Sequence, residues 1–173
     1  EHITSRLKTP ESIVKKLKHD GCEVTIDNMV EHLNDIAGIR IICSFMSDIY
    51  PIADMIARQA DITVLHVKDY IKYPKMNGYK SYHMVVTIPV YLSEGKRDTK
   101  VEIQIRTIAM DFWASLDHQL RYKKDIPNVD MISARLKKCA DVISATDLEM
   151  QSIKNSIYGQ RYIPELKRES PKE

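Results

Sequence analysis

The stretch KVEIQIRT, residues 100–107, reads as a β-strand with two unlike faces. Val101, Ile103 and Ile105 alternate with Glu102, Gln104 and Arg106, and successive side chains of a strand point to opposite sides. One side is apolar and anchors the strand. The other carries an acid, an amide and a cation. A solvated sheet surface gives the same alternation, so the stretch alone allows either a wet face or the floor of a site.

The neighbouring segments set this strand in a sheet. YHMVVTIPV (82–90) is a second strand, and the polar SEGKRDT (93–99) between the two predicts a turn and a hairpin of strands 82–90 and 100–106. GIRIICSF (38–45) and TVLHVKDYI (63–71) are further strands by their branched apolar content. Helices fill the gaps. Thr9 is an N-cap, Pro10 suits a first turn, Ile13 and Leu17 share a face, and Gly21 ends the segment. NMVEHL places Val30 and Leu33 on a short second helix. A third starts at Asp48 as cap, tolerates Pro51 in its first turn, turns Ile52, Met55 and Ile56 inward, and ends near Gln59. In 107–122, Ile108, Phe112, Leu116 and Leu120 recur every fourth residue, with Trp113 beside them as a core residue.

The last helix runs from near Asn128 to about Gly159. Ile132, Leu136, Cys139, Ile143, Thr146, Met150, Ile153 and Ile157 form a heptad-like seam on it. At 1.5 Å per residue it is roughly 45 Å long. Such a helix either covers its own sheet or joins two copies of the chain. The expected fold class is α+β: a mixed or antiparallel sheet of about four to five strands flanked by helices, with a long C-terminal helix. The expected organisation is one domain over 1–125, a helical extension over 126–160 and a polar tail over 161–173.

Composition narrows the function classes. A chain of 173 residues with 43% hydrophobic and 29% charged residues is that of a globular domain with a core. A net charge of +2 gives no global signal for a polyanion, so any basic site is local. No apolar run reaches membrane-spanning length and no signal-peptide pattern occurs. The chain opens at Glu1 rather than Met, which leaves room for an upstream piece. Cys22, Cys43 and Cys139 are odd in number and widely spaced, which suits a reducing cytoplasm. Neither common phosphate-binding glycine loop is present. His19, His32, His66 and His118 lack metal-ligand spacing.

Three local patterns can carry chemistry. Asp35, Gly38 and Arg40 stand at the mouth of strand 38–45. They are well sited for a ligand, or else Asp35 caps a loop and pairs with Arg40. If strand 100–106 lies beside 38–45, Glu102 approaches Asp35. Two converging carboxylates call for a cation, and Mg²⁺ takes one or two carboxylates and fills its other sites with water and phosphate oxygens. Paired carboxylates also suit glycoside hydrolysis. The third pattern is KDYIKYPKMNGYKSYH (68–83), where Lys68, Lys72, Lys75 and Lys80 interleave with Tyr70, Tyr73, Tyr79 and Tyr82. Lysines suit phosphates and tyrosine faces suit bases, although a solvated basic loop looks the same. A second basic cluster, Arg6, Lys8, Lys15, Lys16 and Lys18, surrounds the first helix.

These residues together carry a resemblance. RLKTPESI (6–13), DIAGIR (35–40), YPKMNGYKSYH (73–83), VEIQIRT (101–107) and WASLDH (113–118) occur in the order of the synthetase domain of the RelA/SpoT homologue family. The resemblance covers about residues 2–125. It is closest in kind to the single-domain small alarmone synthetases, and nearer to their RelP than their RelQ branch. It implies a cytoplasmic stringent-response enzyme, a GTP pyrophosphokinase that makes (p)ppGpp without hydrolysing it. The β,γ-pyrophosphate of ATP would pass to the 3′-OH of GDP or GTP, releasing AMP.

The resemblance also implies roles. Asp35 and Glu102 would hold Mg²⁺, with Glu102 also the base for the 3′-OH. Arg6, Lys8, Ser12, Arg40 and Arg121 would bind ATP, Arg40 by packing on adenine. Tyr79 would stack on guanine, and Lys75, Asn77, Lys80, His83, Gln104 and Arg106 would contact GDP or GTP. A homotetramer is implied, with no membrane and no required RNA. An unperturbed Glu, with a pKa of about 4.3, is a weak base, so Glu102 either orients the hydroxyl or has a raised pKa. Two other classes compete: a nucleotidyltransferase, which would release pyrophosphate, and a single-stranded RNA binder using the Lys/Tyr loop, which would show strong salt dependence.

Overall fold

A computed structural model describes residues 2–93, 95–121 and 128–159, Arg121 by its backbone. In chain order the elements are β1 (His2–Leu7), α1 (Pro10–His19), α2 (Ile26–His32), β2 (Ala37–Cys43), α3 (Met46–Ala57), β3 (Thr63–Asp69), β4 (Tyr82–Leu92), β5 (Gly95–Thr107), α4 (Ile108–Arg121) and α5 (Val129–Tyr158). The strands form one sheet in the order β1-β2-β5-β4-β3. Only β2 and β5 run parallel; the other neighbours are antiparallel. The fold is α+β with a mixed five-stranded sheet.

Register sorts the side chains. Residues paired across a sheet share a face. Thr4, Arg40, Gln104 and His83 form one cross-strand row, and Arg6, Gly38, Glu102 and Val85 the next. On the opposite face Val101, Ile103 and Ile105 are buried with Met84, Val86, Cys43 and, from α3, Ile49 and Ala53. Burying each large aliphatic side chain contributes about 1.5–3 kcal/mol. The alternation in KVEIQIRT therefore separates a core from a polar floor. Trp113 and Ala114 of α4 and Ala140 of α5 make a second core, on which Tyr79, Leu136 and Ile143 pack.

Several expectations are corrected. HITSRL, the strand β1, was not anticipated: it is an exposed edge with no clean alternation, held only through its pairing with β2. Gly95–Thr99, read as turn, belong to β5, and β4 and β5 pair out to Leu92 opposite Gly95. This arm is largely exposed, so its residues show no apolar period. Asp48 is not the α3 cap. The helix starts at Met46, and Asp48 accepts from Lys154 Nζ of α5 at 2.8 Å. Met55 is exposed, whereas Ile52 and Ile56 pack against the core beside the buried Ile49 and Ala53. On α4, Ile108, Phe112, Leu116 and Leu120 are exposed, whereas Met110, Trp113 and Ala114 are buried.

The long helix α5 is present, but its inward face is offset from the seam. Ala140 and Asp147 are its buried residues. Gln151 and Lys154 continue that face, bonding the Ser47 amide and the Ser47 and Asp48 side chains. Leu136 and Ile143 pack inward, while Met150, Ile153 and Ile157 stay exposed. The polar tail lies outside the described residues.

Candidate active site

The site sits on the polar face, where β1, β2, β5 and β4 lie side by side. Thr4, Arg6, Gly38, Ile39, Arg40, Glu102 and Gln104 line a cavity of about 80 Å³. Arg6, Lys8, Ser12, Lys15, Lys16 and His19 line an open cleft of about 710 Å³ beside it. Arg6 belongs to both.

The cleft is built by the turn from β1 into α1. Thr9 adopts extended backbone and its Oγ1 accepts from the Ser12 amide at 3.3 Å. That capping starts α1 beside Lys8, and it sends Lys16 back over the loop that precedes β2. There Asp35 accepts from Lys8 at 2.5 Å and from Lys16 at 2.7 Å. Burial works against the Asp35 charge, but the bonds from Lys16 and Lys8 outweigh it and hold the carboxyl below its ordinary value.

Glu102 comes close to this group because β5 runs parallel to β2 with Glu102 opposite Gly38. Its carboxylate lies 3.3 Å from His83 Nδ1 and accepts from Gln104 Nε2 at 2.9 Å. The His83 hydrogen bond is the strongest influence and lowers its pKa; burial opposes, Gln104 assists, and the charge of Asp35 pushes it up. The charge of Asp35 thus reaches Glu102 across the strands, as the smallest of these influences. A pKa raised by the site is not observed: Glu102 lies below its ordinary value.

Arg106 organises the β4–β5 side. Its guanidinium, 5% exposed, donates to Ser81 Oγ at 3.2 Å, to Gln104 Oε1 at 2.8 Å and to the Tyr79 hydroxyl at 2.6 Å. It also donates to Asp111 Oδ1 at 3.1 Å. Tyr79 in turn lies 2.8 Å from His83 Nε2. A closed ring results: Tyr79, His83, Glu102, Gln104, Arg106 and back to Tyr79. Lys75 stands over the rings of Tyr70 and Tyr79, 4.8 and 5.0 Å from their centroids. Asn77 Oδ1 accepts from the Tyr79 amide at 3.2 Å and shapes the loop.

The expected site residues thus fall largely together. Arg6, Lys8, Ser12, Asp35 and Arg40 gather on the β1–α1–β2 side; Lys75, Asn77, Tyr79, His83, Glu102, Gln104 and Arg106 on the β4–β5 side. Lys80 departs from them. It lines a separate small cavity with Gly78, Trp113 and Asp147, and its charge acts on Asp147. The Arg121 side chain lies outside the described residues. Sequence reasoning missed Asp111, which pairs with both Arg106 and Arg40, and the role of Ser81. An acid in the first turn of the helix directly after the strand that carries Arg106 was the available signal.

Charge of both signs, flat aromatic and guanidinium surfaces and two nearby carboxylates suit phosphate chemistry between nucleotides. A sequence profile described as "Region found in RelA / SpoT proteins" matches residues 5–127. GTP pyrophosphokinase YwaC of Bacillus subtilis is 48% identical over 159 residues, covering 91% of this chain and 75% of that protein. The crystal structure of the small alarmone synthetase 2 from Bacillus subtilis matches with a TM-score of 0.81 and 46% identity, over 90% of this chain and 81% of that one. The small alarmone synthetase 1 from Bacillus subtilis, bound to its product pppGpp, matches with a TM-score of 0.83 and 38% identity, over 91% and 79%. With profile, sequence and fold in agreement, the chain belongs to the RelA/SpoT family.

Proposed function

We propose that this protein is a GTP pyrophosphokinase that makes (p)ppGpp. The observation that carries the reading is the placement of Glu102 between Gln104 and His83, one strand away from the cationic β1–α1 cleft, whose Lys8 and Lys16 pair with Asp35. The acceptor 3′-oxygen attacks the β-phosphorus of ATP. The bond from that phosphorus to the α,β-bridging oxygen breaks, AMP leaves, and the hydroxyl proton passes to Glu102 or through it to water.

Arg6, Lys8 and Ser12, with Lys15 and Lys16, bind the ATP phosphates. Arg40 offers its guanidinium plane to adenine. Tyr79 offers its ring to guanine, with Lys75, Asn77 and His83 toward the acceptor phosphates; Lys80, in its separate cavity beside Asp147, is not among them. Gln104 and Arg106 hold Glu102 and Tyr79 in place, a role that fits their hydrogen bonds better than direct contact does. Because the Glu102 carboxyl lies below its ordinary value, it orients the hydroxyl and takes the proton late. Charge neutralisation and in-line positioning supply most of the rate.

The carboxylates of Asp35 and Glu102 are hard oxygen donors within electrostatic range of each other, and this donor set fits Mg²⁺. When bound there with the nucleotide, Mg²⁺ neutralises phosphate charge. Asp35→Asn tests the assignment: the Mg²⁺ concentration for half-maximal turnover rises about 10-fold or more, as for loss of a metal ligand. An unchanged Mg²⁺ dependence removes Asp35 from that role.

Exposed apolar surface supports an assembly. Ile108, Phe112, Leu116 and Leu120 leave an apolar stripe along α4, and α5 exposes Met150, Ile153 and Ile157. These faces support a homotetramer. The described residues include no helix long and apolar enough to cross a membrane, and Cys22, Cys43 and Cys139, which form no disulfide among the described residues, suit the cytoplasm.

A further inference from the structure

We propose that Asp111 couples the two nucleotide pockets, so that occupancy of one changes the affinity of the other. The inference rests on the reading above, with Arg40 on the donor side and Tyr79 on the acceptor side.

Asp111 stands in the first turn of α4, directly after β5. Its Oδ1 accepts from Arg106 Nη1 at 3.1 Å and lies 3.4 Å from Arg40 Nη1. One oxygen thus serves two guanidiniums that project from neighbouring parallel strands on the same face. Without it, two like charges would face each other. Burial and the charge of Arg106 both bear against the charged form of Arg40, and Asp111 opposes them.

The two arginines differ in freedom. Arg106 is tied to Ser81, Gln104 and Tyr79 as well. The buried Nε of Arg40 has no hydrogen-bond partner among the described residues. Arg40 is therefore the arm that moves when a purine packs on it. Its movement changes how much of Oδ1 is left to Arg106. Arg106 holds the Tyr79 hydroxyl, so the change reaches the acceptor ring. Every step of the path Arg40–Asp111–Arg106–Tyr79 is a direct contact. Asp111 touches neither nucleotide and acts as a positioning residue.

Isothermal titration of the full chain with GDP, with and without saturating α,β-methylene ATP and Mg²⁺, tests the claim. In the wild type the GDP affinity changes by about 5-fold or more, and GDP changes the affinity of the ATP analogue by the same factor, because coupling is reciprocal. In Asp111→Asn both nucleotides still bind, and the factor falls to within about 2-fold of unity. Asp111→Glu keeps the charge and restores part of the coupling. If Asp111→Asn does not fold, Asp111→Ser removes the same shared carboxylate oxygen and is read in the same way. Coupling retained in these variants, or nucleotides that bind the wild type independently, overturns the proposal. A wild type that binds neither nucleotide overturns the functional reading as well.

Discussion

His83 Nδ1 lies 3.3 Å from Glu102 Oε1, and the other ring nitrogen of His83 meets the Tyr79 hydroxyl at 2.8 Å. Arg106 Nη2 already donates to that hydroxyl oxygen. The Tyr79 proton is thus left to donate to Nε2, and the His83 Nδ1 proton to donate to Glu102. The ring fixes the tautomer and keeps both Glu102 oxygens as acceptors toward protein donors.

Glu102→Gln keeps the shape and loses the proton acceptor. Turnover should fall by about 100-fold or more, the range for a general base. Affinity for each nucleotide, measured by titration, should change little. Unaltered turnover would remove Glu102 from the chemistry.

The pH profile follows from the same contact. The Glu102 pKa lies below its ordinary value of 4.5, first through the hydrogen bond from His83. The ionised form is the active one, so kcat/KM is full above that value and is lost as the pH falls through the depressed pKa. The acid limb of wild-type kcat/KM should therefore lie below pH 4.5. In His83→Gln the limb should move upward. A limb that stays in place would mean that His83 does not set the pKa.

Gly78 precedes the acceptor tyrosine at φ +87°, and a Cβ there would lie 2.4 Å from the Ala140 Cβ of α5. Gly78→Ala should displace the loop, at a cost on the order of 1–3 kcal/mol from the clash and a further 1–2 from the left-handed backbone. The KM for the acceptor should rise about 30-fold or more, the factor to which the low end of that cost, about 2 kcal/mol, converts, while affinity for an ATP analogue is kept. Equal losses for both nucleotides would show a general defect.

The assembly can be tested apart from the core. Ile143, on the expected seam, packs on Trp113, Ala114 and Ala140 of its own chain, so a polar residue there damages the monomer. Phe112 is 58% exposed. Phe112→Asp should leave stability within about 0.5 kcal/mol per chain and lower the mass in multi-angle light scattering. A wild type that runs as a monomer contradicts the homotetramer.

The polar floor was legible because a strand writes its two faces in alternation, and the motif-bearing loops were legible by their residue types. Parts held by one partner only were not. β1 has no period of its own and owes its conformation to β2. The arm that opens β5, residues 95–98, is exposed, so nothing marks it as strand. On α4 and α5 the apolar period was real, but the chain packs Trp113, Ala140 and Asp147 inward and leaves the longer apolar stripes outside. Period finds a helix face without saying what covers it. Asp111 was hidden because its importance lies in meeting Arg40, 71 positions earlier in the chain.

The most direct test is the identity of both products when the purified chain is given ATP, GTP and Mg²⁺. Nucleotide chromatography with phosphorus NMR should find AMP in equal amount with a guanosine nucleotide bearing a new diphosphate on its 3′-oxygen. Release of ADP or of pyrophosphate, or a guanosine product without a 3′-diphosphate, would contradict the account.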